Sequence, residues 1–218
     1  MAAPAPRLIV ISDAARGELE GWLQALEALL AAAQPASVLV SLRDRQRPLC
    51  ERRALGQRLR ATTRSHHQAL AVCDRLDLAW LLEADGVHLG EGDVGVEEAR
   101  AFGHERGRSW RISTACHSPE AVAHTTADAV LLSPIAKPRK GRPALGLAGL
   151  RGALAARRVR PATQRECAVY VLGGVTRHDA AEWLAEGADG VALIGELFVP
   201  GAGPELLAAL GILRQRPR

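Results

Sequence analysis

The sequence predicts a single-domain (β/α)8 TIM barrel, on three observations. Short, nearly all-apolar runs alternate eight times with amphipathic segments from end to end. No stretch between them is long enough to be a linker. The run after the first strand, Ser12-Asp-Ala-Ala-Arg-Gly17, lacks the G-x-G-x-x-G that an open dinucleotide-binding sheet would place there. At 218 residues the chain is shorter than the common barrel of about 250, so helices and loops must be short.

The elements follow in order. Residues 8–12 form the first strand and residues 18–33 the first helix, whose Leu19, Trp22, Leu23, Leu26, Leu29 and Leu30 recur at helical spacing. Strands at 38–42, 69–73 and 86–89 precede helices near 50–61, 76–82 and 94–106. Strands at 110–113, 129–132, 168–172 and 190–194 precede helices at 119–124, 147–156, 179–186 and near 204–213. Strands this uniformly apolar or small suit a parallel sheet covered on both faces.

Composition removes several classes of function. With 48% hydrophobic and 24% charged residues the chain is no disordered tail. The longest apolar stretch, residues 22–33, is interrupted by polar residues and too short to cross a bilayer. The N-terminus has no apolar core followed by a small-residue cleavage site, so a cytoplasmic location is expected. Basic residues outnumber acidic ones 28 to 24, but the arginines are spread from Arg7 to Arg218 among acids, and the aromatics number only four Trp, one Tyr and two Phe. A nucleic-acid partner would call for a basic face with stacking aromatics, and is not expected. Cys50, Cys73, Cys116 and Cys167 lie far apart with no C-x-x-C, which supports neither a disulfide framework nor a structural zinc.

In a barrel the loops following the strands form the functional face. Residues at those positions are Ser12 and Asp13; Arg43, Asp44 and Arg45; Asp74; His88, Gly90, Glu91 and Asp93; Ser113, Cys116 and His117; Ser133 with the loop at 137–142; Gly173 and Gly174; and Ile194 and Gly195. Carboxylates and cations thus share one rim. Asp74 and Asp93 suit magnesium, which takes a few carboxylate oxygens plus water and substrate phosphate. The plainer reading makes Asp74 a helix cap or a partner of Arg75, and Asp93 the cap before Val94. Arginine forks two oxygens and lysine is a compact point charge, so Arg43, Arg45 and Lys140 together suit a diphosphate. Gly173, Gly174, Ile194 and Gly195 lie where barrels commonly present backbone N–H groups to phosphate; without a ligand they are two tight turns. Cys116 beside His117 is a poor nucleophilic pair, because neighbours in sequence point different ways.

The segments Ser-Leu-Arg-Asp-Arg at 41–45, Cys-Asp-Arg-Leu-Asp-Leu-Ala at 73–79, Ala-Asp-Gly-Val-His-Leu-Gly-Glu-Gly-Asp at 84–93, Leu-Gly-Gly-Val at 172–175 and Gly-Ala-Asp-Gly-Val-Ala at 187–192 resemble, in order, the thiamine phosphate synthase / TenI family. The resemblance covers about residues 8–198 and implies a transferase joining an aminopyrimidine diphosphate to a thiazole phosphate with release of pyrophosphate. It implies Mg2+ on Asp74 and Asp93, Arg43 and Lys140 at the pyrophosphate, Arg45 in place of a usual lysine, and the thiazole phosphate on Gly173, Gly174, Ile194 and Gly195. His117 stands where TenI-type tautomerases carry a proton-shuttling histidine. Ser41 replaces a glutamine that contacts the pyrimidine, Cys73 an asparagine, and Ala115 a serine; the strand-6 loop lacks paired threonines. A cofactor-free TenI-type isomerase and a non-catalytic barrel binding a phosphorylated ligand are therefore the alternatives. The oligomeric state is open, with a homodimer one option.

Overall fold

The computed structural model describes residues 5–160 and 167–215. Eight parallel strands close into a barrel in sequence order, with the last pairing to the first. They are β1 (Leu8–Ile11), β2 (Val38–Leu42), β3 (Ala69–Cys73), β4 (Gly86–Leu89), β5 (Arg111–Cys116), β6 (Ala129–Leu132), β7 (Ala168–Leu172) and β8 (Gly190–Leu193). The helices are α1 (Leu19–Ala32), α2 (Leu49–Ser65), α3 (Leu76–Leu81), α4 (Val96–Glu105), α5 (Pro119–His124), α6 (Gly146–Arg158), α7 (Ala180–Ala185) and α8 (Ala202–Ala209). No helix among the described residues is long and apolar enough to cross a membrane.

The strand alternation sorts side chains between two cores. Val38, Val40 and Leu42 of β2 join the large core under the helices, and Ile9, Ile11, Leu131, Tyr170 and Ala192 form a smaller one within the barrel. α1 buries Trp22, Leu23, Leu26, Leu29 and Leu30 on one face, and the Glu18 carboxylate caps it by accepting from the N–H groups of Glu20 and Gly21. Ser118 caps α5, with Pro119 at its first turn.

The strand expectations hold for every element, with one extension. β5 runs to Cys116, so Ser113 is inside the barrel and not at a strand end. There its hydroxyl lies 3.0 Å from His88 Nδ1. α2 is longer than expected, running on to Ser65, and α8 begins earlier, at Ala202.

The Ala-Asp-Gly motif works at the opposite end from the chemistry. Its Asp85 and Asp189, with Asp128 of Ala-Asp-Ala at 127–129, each precede an even-numbered strand and accept the N–H of a residue in the strand before, at 2.8 Å: Leu70 for Asp85, Val169 for Asp189 and Ile112 for Asp128. The glycine after Asp85 is required by close packing, since a Cβ on Gly86 would lie 2.5 Å from the Arg111 carbonyl oxygen. The motif therefore pins the N-terminal rim, leaving the other rim free for a site.

Candidate active site

A cavity of about 290 Å3 opens at the C-terminal ends of the strands, and eight of the expected site residues line it: Arg43, Arg45, Cys73, Ala115, His117, Lys140, Gly173 and Ile194. It continues into a broader depression that shares Arg43, Arg45, Arg139 and Lys140. Four cations from two loops therefore face one space, an arrangement that favours a multiply charged anion.

Asp74 and Asp93 converge, and what lies between them is Arg45. Its Nε is 2.8 Å from Asp74 Oδ2 and its Nη2 is 3.2 Å from Asp93 Oδ2. Neither aspartate takes its plainer role. Arg75 pairs with Asp77, and the cap of α4 is Gly95, while Asp93 instead accepts the Gly90 N–H at 2.6 Å. Asp74 has a left-handed backbone, φ +60°, which turns its carboxylate back over the strand end. Its other oxygen, Oδ1, accepts from Arg52 Nη2 at 2.8 Å, and the same nitrogen donates to the Cys73 carbonyl at 2.7 Å.

Arg43 does not face this carboxylate pair. Its Nη2 is 2.6 Å from Asp13 Oδ2 on the β1 loop. The buried Asp44 between the two arginines ties that loop down, accepting the Ser12 hydroxyl at 2.5 Å and the Ala14 N–H at 2.8 Å. Asp13, Asp44 and Arg52 are thus parts of the mouth that the motif positions alone do not assign.

The strand-6 loop crosses the opening. Arg142 Nη2 reaches both oxygens of Glu91 at 3.0 and 2.8 Å, and Glu91 Oε1 is 3.5 Å from His117 Nε2. The other ring nitrogen, Nδ1, is 2.5 Å from the Ser133 carbonyl, an acceptor only, so Nδ1 carries a proton. His117 is fixed at the cavity edge with Nε2 toward the exposed side. Cys116 points the other way, into the core under the helices, and burial pushes its thiol up to about 12. A Cys116–His117 nucleophilic pair is excluded.

Two of the departures from the family pattern touch one another. Ser41 Oγ lies 3.3 Å from Cys73 Sγ, both side chains buried. Where the resemblance places a glutamine that contacts the pyrimidine, an asparagine before Asp74 and a serine, this wall offers a self-satisfied pair and the methyl group of Ala115. His88 lines the cavity beside it; burial, and then the charge of Arg45, lower its pKa to about 4, so the ring is neutral at ordinary pH.

Gly173 lines the cavity and Gly174 lies beside it on the same turn, with φ of +105° and +85°. Among the described residues no acceptor is paired with the N–H of Gly174 or of Gly195. Two free backbone donors after β7 and β8 match the usual barrel phosphate position.

Fold and site together define a parallel (β/α)8 barrel with a cation-lined mouth carrying two convergent aspartates. The sequence matches the family described as Thiamine monophosphate synthase over residues 8–197. It is 36% identical to the thiamine-phosphate synthase of Methanoregula boonei, covering 96% of this chain and 92% of that one. It is 34% identical to that of Haloarcula marismortui, over 78% and 81% of the two chains. Among solved structures, thiamine phosphate pyrophosphorylase from Pyrococcus furiosus superimposes with a TM-score of 0.75 at 26% identity, covering 94% and 95% of the two chains. The chain belongs to the thiamine monophosphate synthase family.

Proposed function

We propose that the protein is a transferase that joins an aminopyrimidine diphosphate to a thiazole phosphate and releases pyrophosphate. The observation that carries the reading is the convergence of Asp74 and Asp93 on a single cation, Arg45, at the edge of a cavity walled by Arg43 and Lys140. The donor set fits magnesium: two hard carboxylates within the span of one guanidinium, with the remaining positions left to water and a diphosphate.

In this reading Asp74 and Asp93 would hold the ion, which supplies charge neutralisation for the departing pyrophosphate. Arg45, released from the aspartates, turns its fork onto the diphosphate together with Arg43 and Lys140. The C–O bond to the pyrimidine methylene breaks first, pyrophosphate leaves with the electron pair, and the thiazole nitrogen captures the cation left behind. No protein nucleophile is required. The Gly174 and Gly195 N–H groups hold the thiazole phosphate, fixing the nitrogen's approach, and the strand-6 loop, fastened by Arg142 to Glu91, excludes water.

Pyrophosphate release with both substrates, with and without magnesium, tests the proposal. The expected result is release that requires both substrates, is abolished by EDTA, and is lost in Asp93→Ala. Turnover of the thiazole phosphate alone that survives EDTA and is lost in His117→Ala would instead assign an isomerase.

A further inference from the structure

The barrel interior is lined by small side chains at its N-terminal end, where a pocket opens to solvent. Barrels ordinarily stack branched side chains in layers, but here four successive strands present Ala71, Gly86, Ser113 and Ala129. These lie two residues below Cys73, His88, Ala115 and Leu131 on the same strands, beneath the active-site cavity. The space they leave is a separate cavity of about 320 Å3, walled on the far side by Ile9, Leu39 and the Tyr170 ring. The ring is held in place: its hydroxyl donates to the Pro6 carbonyl at 2.7 Å, and it lies so close over Gly190 that a Cβ there would sit 2.7 Å from Cε1. A dry apolar cavity of about half this volume accepts benzene.

The polar groups at its rim are unequal. Asp85 is committed to Arg60 and to the Leu70 N–H, each at 2.8 Å. Gln68 is committed to the Val38 N–H and the Gln34 carbonyl, each at 2.9 Å. The guanidinium of Arg111 has no hydrogen-bond or ion-pair partner among the described residues. The cavity opens to solvent at the N-terminal rim, and Arg111 is partly exposed there, so its guanidinium is accessible to an anion entering from that side.

We propose that this N-terminal cavity is a second ligand site, taking a small monocarboxylate whose flat apolar body lies against Leu39 and Ala69 and whose carboxylate pairs with Arg111. The site is distinct from the catalytic mouth yet adjoins it. Ser113, on the cavity wall, is 3.0 Å from Nδ1 of His88, which lines the active-site cavity above. A bound ligand is therefore felt at the His88 ring.

Benzoate is the probe and benzyl alcohol its neutral counterpart, added to the full chain and followed by calorimetry and by the His88 ring resonances. Saturable one-to-one benzoate binding that displaces those resonances is expected. Arg111→Met should weaken benzoate by about tenfold while leaving benzyl alcohol unchanged. Ala129→Leu, which fills the space, should abolish binding of both. Because Arg111→Met leaves the core untouched, it carries the test even if Ala129→Leu does not fold. Absence of saturable benzoate binding, equal weakening of both probes by Arg111→Met, or binding that leaves His88 unmoved would overturn the site. The test is independent of pyrophosphate chemistry, so its failure leaves the transferase assignment standing.

Discussion

Arg45 occupies the position between Asp74 and Asp93 with both of its contacting nitrogens, 2.8 and 3.2 Å from the two Oδ2 atoms. It is therefore a competitor for the divalent ion that those carboxylates would hold. Removing it in Arg45→Ala should tighten Mn2+ binding without substrate by about tenfold, the effect of one neighbouring positive charge near a protein surface. The same variant should lose affinity for the diphosphate. Asp93→Asn should weaken Mn2+ in either background. Electron paramagnetic resonance of free Mn2+ reads all three, and an Arg45→Ala protein with unchanged metal affinity would refute the competition.

Arg52 positions Asp74 from beneath. Its side chain is only 5% exposed, and one nitrogen serves both the Asp74 carboxylate and the Cys73 carbonyl. Arg52→Met keeps the stem but strands these acceptors, so a loss of about 2 kcal/mol in urea unfolding is expected, less than for a fully buried pair because Arg45 still neutralises Asp74. Its turnover should recover at raised magnesium, which a purely structural role would not produce.

The strand register and the rim residues are legible in the sequence because a parallel barrel writes both in short apolar runs with polar residues at their ends. The partners are not. Arg43 and Arg45 look equivalent, yet one pairs with Asp13 and the other with Asp74 and Asp93, a divergence set by the backbone at Asp44, where φ is +27°. β5 reads short because the consecutive polar residues Ser113 and Thr114 interrupt its apolar character, although the Thr114 hydroxyl is satisfied by the Leu89 carbonyl at 3.2 Å. Arg52 lies in the first turn of α2 and outside every motif. Its signal is that it shares the buried face of α2 with Leu55, Gly56 and Leu59, where a charge needs a partner.

His88 gives the fold an acid sensitivity. Its pKa is held near 4, first by burial and then by Arg45, against 6.5 in the unfolded chain. The folded state therefore binds fewer protons between those values, and stability is full above 6.5, falls as pH drops, and levels off below 4. His88→Asn should flatten this slope by on the order of 2 kcal/mol, less than full burial would give, since one face of the ring meets the cavity. A wild-type urea midpoint that stays constant across that interval would contradict the assignment.

The pair between Glu91 and Arg142 fastens the strand-6 loop but is exposed. Glu91→Ala should change global stability by less than about 1 kcal/mol. It should nonetheless speed amide exchange at residues 137–142 and raise KM for the diphosphate. If exchange in the loop is unaltered, the loop is held by something other than this contact.

Gly174 and Gly195 are both assigned to the thiazole phosphate, but they should respond to alanine very differently. At Gly174 φ is +85°, and a Cβ would lie 2.7 Å from Lys137 Cγ and 3.0 Å from the Lys137 nitrogen. Alanine there must both strain its own backbone and push away the start of the strand-6 loop. At Gly195 φ is −95° and the nearest atom to a Cβ is an Arg16 nitrogen at 3.5 Å, so alanine fits. Gly174→Ala should therefore raise KM for the thiazole phosphate by about tenfold, matching a backbone penalty of about 1–2 kcal/mol. Gly195→Ala should leave its N–H available and KM within about twofold of wild type. Steady-state kinetics at saturating diphosphate separates the two, and an equal effect at both positions would show that the phosphate is held elsewhere, because crowding of Lys137 is present at only one of them.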